Sequence, residues 1–226
     1  MAKLIDPRHH RTLIAGMTGS GKTYYALQLF TAMGDMALYI DHEGVVRRKA
    51  WAAHLHSVMT RDPSQIKPIW FARNEAGVPN RKCVLEPNSD EEIGEVLRWI
   101  IKWKREVQDP KPLYVFMDEI HLYGQDWKFP EVTDVFTRGR NSNVIGVAIT
   151  QNLPALRNTS VITQSKVKIL FSLDPAAITA LRRNYQVEIP PEVLAHIQVD
   201  ADKAEGERTI FQAAAYGLSG DRWILL

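Results

Sequence analysis

The sequence has a single cysteine, Cys83, so no internal disulfide can form and a cross-linked scaffold is excluded. It has no apolar run near the roughly 18 residues of a membrane-spanning helix, so no span of its own is expected. The opening MAKLIDPRHH holds no apolar core, so no signal peptide is expected there either. Net charge is nearly absent. Lys and Arg number 28 against 26 Asp and Glu, a formal +2, so any contact with nucleic acid must come from local patches rather than from the whole surface. Internal repeats and low-complexity segments are missing, which removes solenoids and long linkers. What remains is a chain of 226 residues with 45% apolar content, enough for one full core, and a single domain over 1–226 is expected.

Glycine, though ordinary in number, is concentrated where it matters. The stretch LIAGMTGSGKTYYALQLF, residues 13–30, fits G-x-x-x-x-G-K-[ST] at Gly16, Gly21, Lys22 and Thr23. Leu13 to Ala15 reads as a short buried strand. Tyr25, Leu29, Phe30 and Met33 follow at helical spacing. Strand, glycine loop and helix form a phosphate cradle. Gly16, Thr18, Gly19, Ser20 and Gly21 turn backbone N–H groups inward, and the helix start adds the positive end of its dipole. Lys22 would reach the β- and γ-phosphates of ATP, and the Thr23 hydroxyl would hold Mg²⁺. The plain alternative is a glycine turn before an ordinary helix.

The rest alternates strand and helix. MALYIDHEG (36–44) reads as a strand ending at Asp41, followed by a basic helical piece over 45–59. IKPIWFARN (66–74) and KCVLEP (82–87) read as two strands joined by a polar turn. Ser89 and Glu92 make a capping box for a helix over 90–107, with Ile93, Val96, Leu97, Ile100 and Ile101 on one face. Trp99 and Trp103 lie on a different stripe and should pack against a flanking layer. Leu113 to Met117 is a continuous apolar run, as in a central parallel strand. A helix over 131–138, a strand over 144–151, an apolar stretch over 167–173 and a helix over 175–185 follow, then a tail expected to close the domain with a small β-rich piece. The expectation is an α/β, doubly wound, mostly parallel sheet, with its core over about 11–172 and the C-terminal helices and β extension over about 173–226.

Asp118 and Glu119 end the buried strand YVFM, where ligands sit in open α/β sheets. Asp118 can hold the Mg²⁺ shell, and Glu119 can polarise a water for attack on the γ-phosphate. The long interval between Lys22 and Asp118 leaves room for a strand inserted between theirs, the layout of additional-strand, catalytic-glutamate ATPases. Gln151 ends the next strand and can sense the γ-phosphate. Asp41 either supports the site or closes a turn. In TRGRNSN (137–143), Arg140 and then Arg138 are candidates for an arginine finger reaching a neighbouring subunit's nucleotide, with Arg182 and Arg183 behind them; a solvated basic loop is the alternative.

Taken in order, GMTGSGKT, LYIDHEG, YVFMDEIH and GRNSNVIGVAITQNLPALRN resemble the FtsK–HerA superfamily of ring-forming, DNA-pumping ATPases over roughly residues 11–172, with Gln151 where that superfamily carries a glutamine. Within it the compact chain is similar to the small genome-packaging ATPases of icosahedral, internal-membrane, double-stranded DNA viruses of the tectivirus type. The resemblance implies a RecA-like sheet, ATP and Mg²⁺ as cofactors, and a homo-oligomeric ring, a hexamer. It implies non-specific double-stranded DNA as partner, together with a viral capsid vertex and membrane-associated packaging proteins. The locations implied are the virion and the host cytoplasm. VVRRK (45–49) and FARNEAGVPNRK (71–82) are the basic stretches that would face DNA. Three rivals stay open: a filamentous-phage assembly ATPase of the zonula-occludens-toxin type, a helicase suggested by DEIH, and a non-catalytic nucleotide-binding assembly switch.

Overall fold

A computed structural model describes residues 10–74, 76–125, 128–198, 212–217 and 222–226. Strands β1 (Thr12–Ala15), β2 (Met36–Ile40), β3 (Met59–Thr60), β4 (Lys82–Leu85), β5 (Leu113–Met117), β6 (Val144–Thr150), β7 (Val167–Leu170), β8 (Ala214–Tyr216) and β9 (Trp223–Leu225) form one nine-stranded sheet, ordered β3-β4-β2-β5-β6-β1-β7-β8-β9. All pairings from β3 to β7 are parallel; β8 and β9 are antiparallel additions. The four residues of β1, the five of β5 and the seven of β6 are buried throughout, as in strands covered on both faces. One face packs Leu13, Val115 and Ile93; the other packs Ile14, Phe116 and Phe30.

Register does the work of placing the site. Ala15 lies opposite Thr150, Met117 opposite Ala148 and Ile40 opposite Met117. The carboxyl ends of β1, β2, β5 and β6 therefore finish together, and the residues just beyond them share one edge. The strand between β1 and β5 is β6, supplied from after Asp118 rather than from the interval between Lys22 and Asp118. The expected inserted strand exists, but that interval instead builds the outer strands β2, β3 and β4.

Helix α1 (Lys22–Ala32) follows β1, and α4 (Asp90–Val107) runs back to the start of β5. Ser89 Oγ accepts from the Glu92 N–H, while the Glu92 carboxylate takes the N–H of Asn88, one residue before the box expected it. Helices α5 (Pro130–Thr137), α6 (Thr159–Gln164) and α7 (Pro175–Tyr185) complete the core layers.

Two expectations fail. Residues 66–74 do not form a strand: Ile66–Phe71 is helix α3, and only Arg73 and Pro79 bridge as β. Ile66 and Trp70 are buried four apart, a helical spacing hidden inside an aromatic and β-branched run. Asp62 accepts from Ser64 N–H to start the turn, and Pro68 falls in the first helical turn, where its missing N–H costs little. The indoles of Trp70, Trp99 and Trp103 stack at 5.7–6.2 Å, so the two α4 tryptophans do pack on a flanking layer, and that layer is α3. Residues 45–59 are not one helix either. A single turn, α2 (Val45–Arg48), breaks at the extended Lys49 and continues as a 3-10 segment, Ala50–Val58. The tail follows the expected order of helices and then a β extension: helix α8 (Pro191–Ile197) precedes β8 and β9, which widen the main sheet. The rest of the tail, 199–211 and 218–221, lies outside the described residues.

Candidate active site

The glycine loop leaves β1 through two backbone bonds: Gly16 N–H to Thr150 O at 3.2 Å and Met17 N–H to Ser172 O at 2.7 Å. A side chain at Gly16 would meet Ser20 Oγ at 2.6 Å and Phe171 Cβ at 2.7 Å, so only glycine fits. Gly19 (φ 73) and Gly21 (φ 92) take left-handed backbone, which curls the loop back on itself. Gly21 then caps α1 with no side-chain bond to the helix start. The first helical N–H groups are thus left to an external acceptor, the arrangement that binds phosphate. Ser20 Oγ is buried with no hydrogen-bond partner among the described residues, a second polar group suited to an anionic ligand.

Around this loop the strand ends converge. Lys22 is 5% exposed, and its Nζ lies 3.5 Å from Glu119 Oε1. Glu119 adopts φ 47, a left-handed conformation that costs a non-glycine residue about 1–2 kcal/mol and turns the carboxylate back over the sheet edge. Its Oε2 accepts from the Gln151 N–H at 3.3 Å and lies 3.3 Å from His121 Nδ1. The Gln151 side-chain oxygen in turn accepts from Thr18 Oγ1, so the tip of the loop, the end of β6 and the catalytic candidate form one chain of contacts. Asp118 is 1% exposed; its Oδ2 accepts from Tyr39 OH at 2.8 Å and its Oδ1 from the Glu119 N–H at 3.0 Å.

The electrostatics follow from burial. Asp118 is pushed up to about 7, first by loss of hydration and then by the charge of Glu119, with Tyr39 and Lys22 pulling the other way. Glu119 is raised by burial and held back by Lys22. Burial, followed by the Lys22 charge, lowers His121 and favours the neutral imidazole. A site with two carboxylates and one lysine, all buried, is short of positive charge, and a cation at Asp118 would relieve it. Thr23, partly exposed at the helix start, and the buried Asp118 would hold a Mg²⁺ carried in with a nucleotide, which would supply the missing positive charge. The described residues contain no cluster of three or more His, Cys, Asp or Glu that would hold a metal alone.

The sequence-derived candidates are therefore brought together at Gly16, Thr18, Gly19, Ser20, Gly21, Lys22, Thr23, Asp118, Glu119 and Gln151. Asp41 stands on the same edge, close enough for its charge to help raise Asp118, but its carboxylate is taken by the N–H groups of Val45 and Val46, both at 2.8 Å, and starts α2. The loop of Arg138 and Arg140 leads into the first residue of β6, so it lies at the opposite, amino-terminal edge from this chain's own site. Arg138 is exposed and paired with Asp134 at 3.4 Å; the Arg140 side chain lies outside the described residues. Arg182 pairs with Glu188. Sequence reasoning missed Tyr39 and His121. Both carry a signal in hindsight, Tyr39 two residues before Asp41 on a site strand and His121 two residues after Glu119.

No protein-family model and no curated protein sequence matches the chain. Solved structures do. B204, the DNA-packaging ATPase from Sulfolobus turreted icosahedral virus, superposes with a TM-score of 0.65 at 14% identity, over 98% of each chain. The genome packaging NTPase B204 from Sulfolobus turreted icosahedral virus 2, in complex with AMPPCP, gives 0.61 at 13% identity over 96% of each chain. VirB4 of Thermoanaerobacter pseudethanolicus gives 0.61 at 11% identity, over 96% of this chain and 88% of that one. These neighbours, a viral genome-packaging ATPase and an ATPase of the FtsK–HerA type, match well beyond residue 172, where the sequence resemblance stopped. At such identities the likeness is one of architecture, and it shows that this chain has the RecA-like P-loop ATPase fold.

Proposed function

We propose that this chain is an ATPase of the FtsK–HerA superfamily that drives double-stranded DNA through a homo-oligomeric ring, a hexamer, and packages a viral genome at one capsid vertex. The observation that carries the hydrolytic part is the convergence of Lys22, Asp118, Glu119 and Gln151 on one buried edge beside an uncapped helix start. Lys22 would neutralise the β- and γ-phosphates. The Glu119 carboxylate would take a proton from water as its oxygen bonds the γ-phosphorus and the β–γ bridging bond breaks, with ADP leaving. Gln151, tied to Thr18 and Glu119, would report whether the γ-phosphate is present. When bound, Mg²⁺ at Thr23 and Asp118 supplies charge neutralisation of the phosphate oxygens.

Support for DNA as the load comes from the fold likeness to the DNA-packaging ATPase B204 over nearly the whole chain. With a formal net charge of only +2, the chain's phosphate contacts would come from local patches of Lys and Arg. The arginine finger, Arg140 before Arg138, would reach into a neighbouring subunit, whose cleft would have to meet the amino-terminal edge of this sheet. Packaging would place the ring at the capsid vertex against membrane-associated partners, in the virion and in the host cytoplasm. No described helix is long and apolar enough to cross a membrane.

The test is steady-state ATP hydrolysis with and without double-stranded DNA, repeated over a salt series. Stimulation by any DNA sequence, falling steeply with salt, is expected. Slow turnover indifferent to DNA would favour the assembly switch, and a preferred base sequence at moderate salt would count against a motor.

A further inference from the structure

The cleft at the glycine loop is larger than a triphosphate needs. It encloses about 630 Å³, and its lining joins Lys22, Glu119 and Gln151 to a wall that includes Tyr24, Val45, Lys49 and Trp51. That volume is in the range of sites that hold a whole nucleotide-sized ligand. Two large rings stand in the wall. Tyr24 is 39% exposed and Trp51 42% exposed, and they meet edge to face with centroids 5.0 Å apart and planes at 81°.

Both rings are held. Tyr24 follows Thr23 directly on α1, and its hydroxyl accepts from Gln28 Nε2 at 2.7 Å, one helical turn on. Trp51 rides on the 3-10 segment anchored by Ala52 and Leu55, buried against the α1 side of the sheet. Arg48 turns its guanidinium back on the carbonyls of Glu43 and Gly44, which fixes the turn beneath the cleft. Two exposed aromatic rings in contact beside the glycine loop, both lining the same cleft, offer a flat ligand a surface to stack on.

We propose that Trp51, steadied by Tyr24, is a stacking platform for the nucleobase of the bound nucleotide; this rests on the nucleotide reading above. The placement supports it: Tyr24 directly follows Thr23 on α1 and touches Trp51, so both rings line the cleft that holds the phosphate loop. Phosphates belong at the backbone of Gly19 to Thr23, so a nucleotide whose phosphates lie there has its ribose and base at the far end of the same cleft. The wall offers a ring face, the Val45 side chain and the positive charge of Lys49. Stacking of this kind discriminates by ring area, so purines should bind better than pyrimidines, and adenine and guanine should differ little.

The experiment measures dissociation constants by calorimetry, with Mg²⁺, for ATP and for inorganic tripolyphosphate, using the unmutated chain, Trp51→Ala and Trp51→Phe. Trp51→Ala is expected to weaken ATP about tenfold and leave tripolyphosphate unchanged, with Trp51→Phe recovering most of the loss. Unchanged tripolyphosphate affinity also shows that the variant folds. In the unmutated chain, CTP and UTP should bind several-fold more weakly than ATP and GTP. If the unmutated chain binds both ligands and Trp51→Ala alters neither, or weakens both equally, the platform is wrong while the phosphate cradle stands. If the unmutated chain binds neither ligand, the nucleotide reading and the platform fall together.

Discussion

Two buried lysines sit at opposite edges of the sheet and teach different things. Lys104, 2% exposed at the end of α4, donates to the carbonyls of Asp109 at 3.1 Å and Lys111 at 2.7 Å, and pairs with the Asp109 carboxylate at 3.3 Å. Its protons have acceptors, and it pins the turn that feeds β5. Lys22, 5% exposed at the other edge, has Glu119 as its described partner, at 3.5 Å, beyond good hydrogen-bond length. A buried ammonium costs several kcal/mol unless it is paired and bonded. The chain meets that cost fully at Lys104 and only in part at Lys22. The first lysine is finished by folding; the second is left for a ligand.

The largest effect expected on this contrast crosses between subunits. If the amino-terminal edge completes a neighbour's site through Arg140, then Arg140→Ala should bind ATP normally yet hydrolyse it about 10³- to 10⁵-fold more slowly, even when assembled. Mixing it with Lys22→Ala protein should restore some turnover, because an intact cradle can then meet an intact arginine. The readout is ATPase rate against mixing ratio, with mixed assembly checked separately. Hydrolysis at the unmutated rate by the homogeneous Arg140→Ala protein would make that edge purely structural.

Next comes Glu119→Gln. The amide keeps the size of the group and can still accept from the Gln151 N–H, but it cannot take a proton from water. Hydrolysis should fall about 10²- to 10⁴-fold while ATP affinity holds or rises, since Lys22 loses a competing carboxylate. Equal loss of affinity in Glu119→Gln and Lys22→Ala would show that the two residues do not divide binding from chemistry.

The lysines themselves give a double dissociation. Lys22→Ala should lower ATP affinity by about a hundredfold and leave the unfolding midpoint in urea nearly unchanged. Lys104→Met should leave ATP affinity alone but cost on the order of 2–4 kcal/mol of stability, because two carbonyls and a carboxylate lose their donor. If both variants lose stability and neither loses affinity, the distinction between a finished and a waiting lysine collapses.

The two edges were not equally legible in sequence. The glycine loop, Asp118, Glu119 and Gln151 were readable because the chemistry needs those residue types beside buried strands, and β5 and β6 are apolar without interruption. Parallel register then brought them together without any further signal. Tyr39 and His121 carried only their nearness to Asp41 and Glu119 as a signal, and Trp51 carried none, since Tyr39 bonds Asp118 across the sheet and Trp51 offers only a ring. Helix α3 was misread because Ile, Trp and Phe favour strands in general, while here the spacing of Ile66 and Trp70 and the Trp stack decided the matter. The source of the inserted strand was misread because an interval length says nothing about the order of strands in space.

The smallest effect is the most direct probe of the edge left incomplete. Asp118 is raised from its ordinary value to about 7, so between about pH 4 and 7 the folded chain keeps a proton that the unfolded chain gives up. The stabilising contribution of that proton is full below about pH 4 and is lost as pH rises through about 7. Glu119 and Asp41 are raised too and act in the same direction. Glu86, Asp90 and Asp109 are held below their ordinary values, so their contributions are present above about pH 4 and fade only in more acid solution. Without ligand, stability should therefore peak in mild acid and decline toward pH 8. Asp118→Asn, which carries no titrating proton, should flatten that decline and be the more stable of the two at pH 8, by on the order of a few kcal/mol. The check is urea unfolding of both proteins from pH 4.5 to 8. Mg²⁺ with a non-hydrolysable ATP analogue should then reverse the ranking at pH 8, because a cation beside Asp118 favours its carboxylate and gains nothing from the amide. Parallel pH curves without ligand would mean that Asp118 is ionised throughout, and that this edge of the sheet is as well satisfied as the other.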